Sequence, residues 1–162
     1  MIIVSNTSPI INLAAIDQLN ILQKLYDKII IPEAVYHEIV ITGAGQPGSK
    51  EIPKLDWIAT QKVSNKSLLK ALQYELDDGE AEAITLAIEL NSDLLLIDER
   101  IGRSVASRFN VKYVGLIGSL FEAKSKGIIQ SIKPLLDDLQ IKAGFWISKR
   151  FYSRILEIAN EN

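Results

Sequence analysis

The segment from Asp77 to Arg100 restricts the possible folds of this chain more tightly than any other. It runs Asp-Asp-Gly-Glu-Ala-Glu-Ala-Ile-Thr-Leu-Ala-Ile-Glu-Leu-Asn-Ser-Asp-Leu-Leu-Leu-Ile-Asp-Glu-Arg. Asp77 or Asp78 can cap a helix, and Ala83, Ile84, Leu86, Ala87, Ile88 and Leu90 give that helix an apolar stripe. Asn91-Ser92 ends it. Leu94 to Ile97 is then a short unbroken apolar run, as a parallel strand covered on both faces requires. Asp98 leaves this strand at its carboxyl end, where open α/β sheets place their ligands. Glu80 lies in the first turn of the helix. If that turn packs beside the strand end, two carboxylates face one cleft.

The rest of the chain repeats the strand–helix alternation. Ile2 to Ser5 is a buried strand, and Asn6-Thr7-Ser8-Pro9 is a turn offering a helix cap and a first-turn proline. Ile10 to Leu25 is helical with an interruption near Asp17, which can cap a second segment. Ile29 to Ile31 is a second strand, and Pro32 starts a helix with Val35, Ile39 and Val40 on its apolar side and Glu38 within it. Trp57 to Val63 is a strand at an edge, and Ser67 to Leu76 a helix. After Asp98 come a helix from Glu99 to Phe109, a strand from Val111 to Val114 and a helix from Leu116 to Lys126. A helix from Ser131 or Ile132 to Ala143 and one capped by Ser148 complete the order. Strands joined by helical crossovers predict a mainly parallel sheet with helices on both faces.

Composition closes off several alternatives. The 162 residues, 48% hydrophobic and 23% charged, suit one globular domain spanning 1–162. The absence of cysteine excludes a disulfide scaffold, a thiol nucleophile and a cysteine-ligated metal, and fits a reducing cytoplasm. No apolar run can span a bilayer. Met1-Ile-Ile-Val-Ser-Asn lacks a basic leader region and is expected to be a strand, not a signal peptide.

The net charge is −2, but residues 1–99 carry 7 Lys/Arg against 15 Asp/Glu, whereas residues 100–162 carry 11 against 5. An acidic half and a basic half on one domain suit a site that holds cations and grips a polyanion; chance clustering on solvated faces is the plain alternative. From the bias to the basic half, Arg100, Arg103, Lys149, Arg150 and Arg154 are expected to contact phosphate.

Thr42 to Pro53 is rich in glycine and proline and is expected to be a loop, a mobile flap near the cleft. Gly43, Gly45 and Gly48 spell a dinucleotide fingerprint, but that motif must follow a strand and open a helix, and here it follows a helix.

The fold expected from the alternation brings four polar groups together: Asn6 after the first strand, Glu38, Glu80 and Asp98. Three carboxylates and an amide form a hard oxygen donor set suited to Mg2+ or Mn2+. Thr7 and Ser8 can hydrogen-bond a metal-bound water or a phosphate oxygen. Each residue also has a plain structural reading: a turn for Asn6, an exposed helix position for Glu38, a helix start for Glu80 and a helix cap for Asp98. Glu82, Glu89 and Glu99 are expected to be solvated, with Glu99 the best substitute ligand. His37, the only histidine, receives no role.

At these residues the sequence resembles the PIN-domain proteins, close to the VapC toxin nucleases and, more narrowly, a prokaryotic branch of PIN-like proteins. The resemblance rests on Val4-Ser-Asn-Thr-Ser-Pro-Ile, Pro32-x-x-Val-x-x-Glu38, Gly45-x-Pro-Gly48, Asp78-Gly-Glu80-Ala-Glu-Ala-Ile, Leu94-Leu-Leu-Ile-Asp98-Glu, and Gly115-Leu-Ile-Gly through Gly144-Phe-Trp-Ile-Ser148. It implies a three-layer α/β/α domain, an acidic cleft binding Mg2+ or Mn2+, hydrolysis of RNA, a homodimer and a small inhibitory antitoxin partner. By position it implies metal-binding and catalytic roles for Asn6, Glu38, Glu80 and Asp98. Asn6 departs from the pattern, because the family has an aspartate there; an amide ligates through its oxygen without charge, so cation affinity is expected to fall.

Three functions follow from this reading. The first is a metal-dependent endoribonuclease. The second is a nucleic-acid-binding protein of the same fold with weakened catalysis, as Asn6 suggests. The third is another doubly wound protein, a phosphate-transferring hydrolase or a phospho-accepting receiver. Ser5-Asn6-Thr7 argues against the third, because it supplies neither the aspartate nucleophile nor the acidic pair those sites need.

Overall fold

The structure, a computed structural model, describes residues 1–162. Strand β1 (Ile3–Ser5) is wholly buried. Helices α1 (Thr7–Ala15) and α2 (Asn20–Tyr26) follow. The break between them falls at Asp17 as expected, but Asp17 adopts φ 55° in the left-handed region, and Leu19, with no side-chain bond, stands at the cap position of α2. Strand β2 (Ile29–Pro32) leads into α3 (Glu33–Tyr36), which widens into a π-helical turn over His37–Thr42. A short 3-10 turn (Ile52–Lys54), β3 (Ile58–Gln61) and α4 (Lys66–Leu72) come next.

The central segment forms α5 (Asp78–Glu89) and β4 (Leu94–Leu96). Asp77 is the cap, its Oδ1 accepting from Glu80 N at 2.8 Å. Then follow α6 (Arg100–Arg108), β5 (Tyr113–Val114), α7 (Leu116–Ser125), α8 (Lys133–Lys142) and α9 (Lys149–Ile158). Ser148 caps α9, as its side chain and position predict.

All strand pairs are parallel, in the order β3-β2-β1-β4-β5. The chain winds outward from β1 to β3, returns to β4 on the other side of β1, and continues to β5. The winding direction therefore reverses at the β1–β4 pair, and a crevice opens at the carboxyl ends of those two strands. β3 is at an edge, as expected.

Successive strand residues point to opposite faces, and two cores result. Ile3, Leu96, Ile29 and Ile31 pack with α1, α2, α7, α8 and α9. Val4, Leu95 and Ile97 pack with α4, α5 and α6. These are the three layers expected from the alternation. Leu95 is fully buried in the second core. Leu95→Ala should cost about 2–5 kcal/mol of stability, seen as a lower urea midpoint at unchanged slope. A loss under about 1 kcal/mol would contradict the packing described.

The glycine-rich segment after the π turn is a run of turns with Gly45 and Gly48 at positive φ, and it follows no strand, so the dinucleotide fingerprint stays excluded. A Cβ on Gly43 would lie 2.7 Å from the carbonyl oxygens of both Glu38 and Ile39, so only glycine closes the π turn that carries Glu38. No helix is long and apolar enough to cross a membrane.

Candidate active site

Asn6 is the residue that carries β1 into α1. Its N–H donates to Leu96 O at 2.9 Å, which places it at the carboxyl end of the β1–β4 pair. Asn6 stands at the cap position of α1, but its side chain makes no cap bond. Instead its Nδ2 donates to Glu99 Oε2 at 2.9 Å. Only 3% of the residue is exposed, and its Oδ1 has no hydrogen-bond partner.

Thr7 opens α1, and its hydroxyl donates to Glu38 Oε2. Thr7 therefore orients an acid; its proton is not free for a phosphate. Ser8 makes a different contact, its Oγ accepting from Asn12 Nδ2 at 3.2 Å. Glu38 sits in the π turn, a distortion often found at functional positions. Burial raises its pKa most, the Thr7 hydroxyl opposes that, and the charges of Asp77 and Asp78 add to it.

Glu80 is three residues after the α5 cap. Burial, then contact with the Asp77 carboxylate, then the charges of Glu99 and Glu38 push its pKa up to about 7. Asp98 follows β4. Its Oδ1 accepts from Leu116 N at 2.9 Å, Arg103 Nη2 lies 3.6 Å from the same oxygen, and its Oδ2 is buried without a partner. Burial raises the Asp98 pKa, while Leu116 N–H and Arg103 hold it down and Glu99 raises it further. The acids thus influence one another in the order Glu38, Glu80, Glu99, Asp98, with Asn6 and Thr7 joined to Glu99 and Glu38.

No three of the chain's His, Asp or Glu side chains form a ready metal cage. Neighbouring carboxylates repel one another, and here Glu38, Asp98 and Glu99 each turn onto a local donor. The donor set nevertheless fits a hard cation. Asn6 Oδ1 and Asp98 Oδ2 are buried acceptors with nothing to accept from, an arrangement that costs about 1–3 kcal/mol each. A cation ligated by oxygen would satisfy both, and would favour the ionised form of Glu80.

Several contributors escape the sequence reading. Two glycines make room for two of the acids. Gly79 lies directly against the Glu38 carboxylate, and a Cβ on Gly115 would lie 2.6 Å from Asp98 Oδ1, whereas one on Gly102 would meet Ile97 Cδ1 at 2.6 Å. Gly79 and Gly102 did leave a signal, since each occupies a helix where it costs about 1 kcal/mol against alanine. Glu82, Glu89 and Glu99 are not merely solvated. Glu82 accepts from Ala34 N at 3.1 Å at the start of α3, and Glu89 accepts from Ser64 N at 2.7 Å ahead of α4. Glu99 holds Asn6. His37 meets only the Thr42 hydroxyl, at 3.3 Å.

The basic residues divide. Arg103 is built into the site: its Nε donates to Ile97 O at 3.0 Å, and its guanidinium lies 5.5 Å from the Tyr113 ring centre. Arg100 is exposed at the start of α6. Lys149 and Arg150 are exposed at the start of α9, and Arg154 pairs with Glu157 at 3.2 Å. Arg150 and Arg154 line a surface depression apart from the acids. Phe151 and Ile155 of α9 reach the same groove as Asp98 and Arg103, a space of about 600 Å³. On the opposite flank, Thr7 and Glu38 border a cavity of about 380 Å³ with Asn12, Gln46 and Lys142.

A family model described as PIN domain matches residues 2–161. No curated protein matches the chain.

Proposed function

The chain belongs to the PIN-domain family, and from that premise we propose that it is a metal-dependent endoribonuclease of the toxin type, hydrolysing RNA phosphodiester bonds at the β1–β4 crevice. Membership places it among nuclease-type hydrolases that act on nucleic acid. The observation that carries the finer reading is the pair of unpartnered buried oxygens, Asn6 Oδ1 and Asp98 Oδ2, following adjacent strands.

Asn6, Glu38, Glu80 and Asp98 would hold Mg2+ or Mn2+. When bound, the cation supplies Lewis acidity toward a phosphoryl oxygen and makes a coordinated water more acidic. The protein does the rest. Glu80, ionised once the cation is held, would accept a hydrogen bond from the water that attacks phosphorus, and that water gives up its proton to solvent. The bond from phosphorus to the leaving oxygen breaks, and that oxygen takes a proton from solvent. Thr7 keeps Glu38 turned into the crevice. Leu116 N–H and Arg103 hold Asp98, and the outer edge of the Arg103 guanidinium faces substrate phosphate. Arg100, Lys149, Arg150 and Arg154 extend the cationic surface along the RNA.

The test is cleavage of labelled RNA by purified protein with Mn2+ or Mg2+, run against EDTA. Cutting that requires the metal supports the reading. Absence of any cutting beside firm RNA binding would favour the second reading, a catalytically weakened RNA-binding protein, to which the uncharged Asn6 lends support. Reversing Arg150 and Arg154 to glutamate should weaken RNA binding at least tenfold at low salt and flatten its salt dependence. Unchanged affinity and slope would remove α9 from the RNA surface. Under the same proposal the protein works in the cytoplasm as a homodimer restrained by a small antitoxin. The exposed Phe151 and Ile158 beside the Asp98 groove suit either contact.

A further inference from the structure

Glu99 occupies the cap position of α6 yet makes no cap bond there. It joins no ion pair in this structure; its side-chain partner is the Asn6 amide, at 2.9 Å. Asn6 is almost wholly buried and Glu99 half-buried, so this contact is partly shielded from water. An ionised carboxylate only accepts hydrogen bonds, whereas an amide has one donating and one accepting end. Glu99 therefore selects between the two orientations of the Asn6 side chain. The NH2 group must face Glu99, and Oδ1 must face away from it, where it is found without a partner. Glu99 also sits between Glu80 and Asp98 in the electrostatics of the crevice.

We propose that Asn6 and Glu99 act as one unit, in which Glu99 is a positioning residue that turns the Asn6 oxygen toward the cation site and brings beside it the negative charge that Asn6 lacks. The inference rests on the metal-site reading given above and extends it to a residue outside the four expected ligands. The charge usually carried by a carboxylate after β1 is placed one residue beyond Asp98, and a single hydrogen bond links the two strand ends. A consequence follows for Asn6→Asp. Alone, it sets two carboxylates face to face across what was a hydrogen bond. Paired with Glu99→Gln, it keeps the charge and reverses the direction of the bond, with the introduced glutamine amide donating to the introduced aspartate.

The experiment compares native protein, Glu99→Gln, Asn6→Asp and the double variant Asn6→Asp/Glu99→Gln. Mn2+ affinity is read by calorimetry, and melting temperature is read in EDTA. Glu99→Gln should weaken Mn2+ binding at least tenfold, because it removes the charge and frees the Asn6 amide to turn. Asn6→Asp should lower the melting temperature in EDTA. The double variant should recover both, with Mn2+ affinity within threefold of native. Native-like Mn2+ affinity in Glu99→Gln, or a double variant equal to the sum of its singles, overturns the unit while leaving the metal site standing. A native protein that binds no Mn2+ overturns the metal site and this inference with it.

Discussion

Asp98→Asn should lower metal-dependent RNA cleavage by at least about a hundredfold without unfolding the protein. The substitution keeps the side-chain shape and retains an oxygen to accept from Leu116 N–H. It removes only the charge. Asp98 is largely buried, and burial already works against its ionisation, so the native chain holds that charge at an energetic cost. Such a cost is worth bearing where the charge binds a cation. In EDTA the variant should melt at or above the native temperature, because a poorly solvated negative charge has been removed beside Glu99. Cleavage within fivefold of native would show that Asp98 is a structural acid and that the chemistry lies elsewhere. Loss of cleavage together with a large fall in melting temperature would leave the two roles entangled, and Asp98→Glu would then separate them by keeping the charge and shifting its position.

Mn2+ affinity should rise about tenfold per pH unit below neutrality and level off above pH 7, because binding must displace the Glu80 proton. Between pH 5 and pH 7 the change is about fiftyfold from Glu80 alone. Glu38 and Asp98, whose pKa values are also raised, steepen the acid end. Glu80→Gln should remove the break near pH 7 as well as weakening the affinity. The same shift has the opposite effect on metal-free stability. A carboxyl whose folded pKa is raised holds its proton more tightly folded than unfolded. Its favourable contribution is full below the ordinary value of 4.5 and is lost as pH rises toward 7. The protein in EDTA should therefore lose part of its stability from pH 5 to pH 7.5, and Glu80→Gln should lose less over that range. A flat Mn2+ affinity from pH 5.5 to 7.5 would mean that Glu80 does not meet the cation.

The uncharged residue at position 6 bears on both results. The resemblance to PIN-domain proteins implies an aspartate at that place and so a site short of one charge. The structure supplies Glu99 within hydrogen-bond reach of the same side chain. If the pair acts as proposed, the expectation that cation affinity falls is reduced, and Asn6→Asp is not a simple gain.

The cavity beside Thr7 and Glu38 and the groove beside Asp98 flank the acids on opposite sides. The first is lined by polar side chains at Asn12, Gln46 and Lys142, and the second mostly by apolar ones. An RNA strand crossing the crevice would meet both environments.

What the sequence determined by itself are the features whose causes are local. The Asp77 cap, the apolar stripe of α5 and the run from Leu94 to Ile97 depend on neighbours within a few residues, and all appear as expected. So does the Ser148 cap of α9. The parallel sheet with two helical layers follows from alternation and from the rule that crossovers need helices. Even Glu80 and Asp98 were legible, as a helix-start acid and a strand-end acid. Tertiary structure alone decided what lies across the crevice. Asn6 meets Glu99 over 93 positions of chain, and Thr7 meets Glu38 over 31. The first exists because β1 lies beside β4 and the second because β1 lies beside β2, a strand order that no local pattern encodes. Glu82 and Glu89 look like solvated helix acids until α3 and the start of α4 arrive to use them. A side chain's helix or strand is set by its neighbours along the chain, but its hydrogen-bond partner is set by whichever backbone the packed sheet brings within about 3 Å.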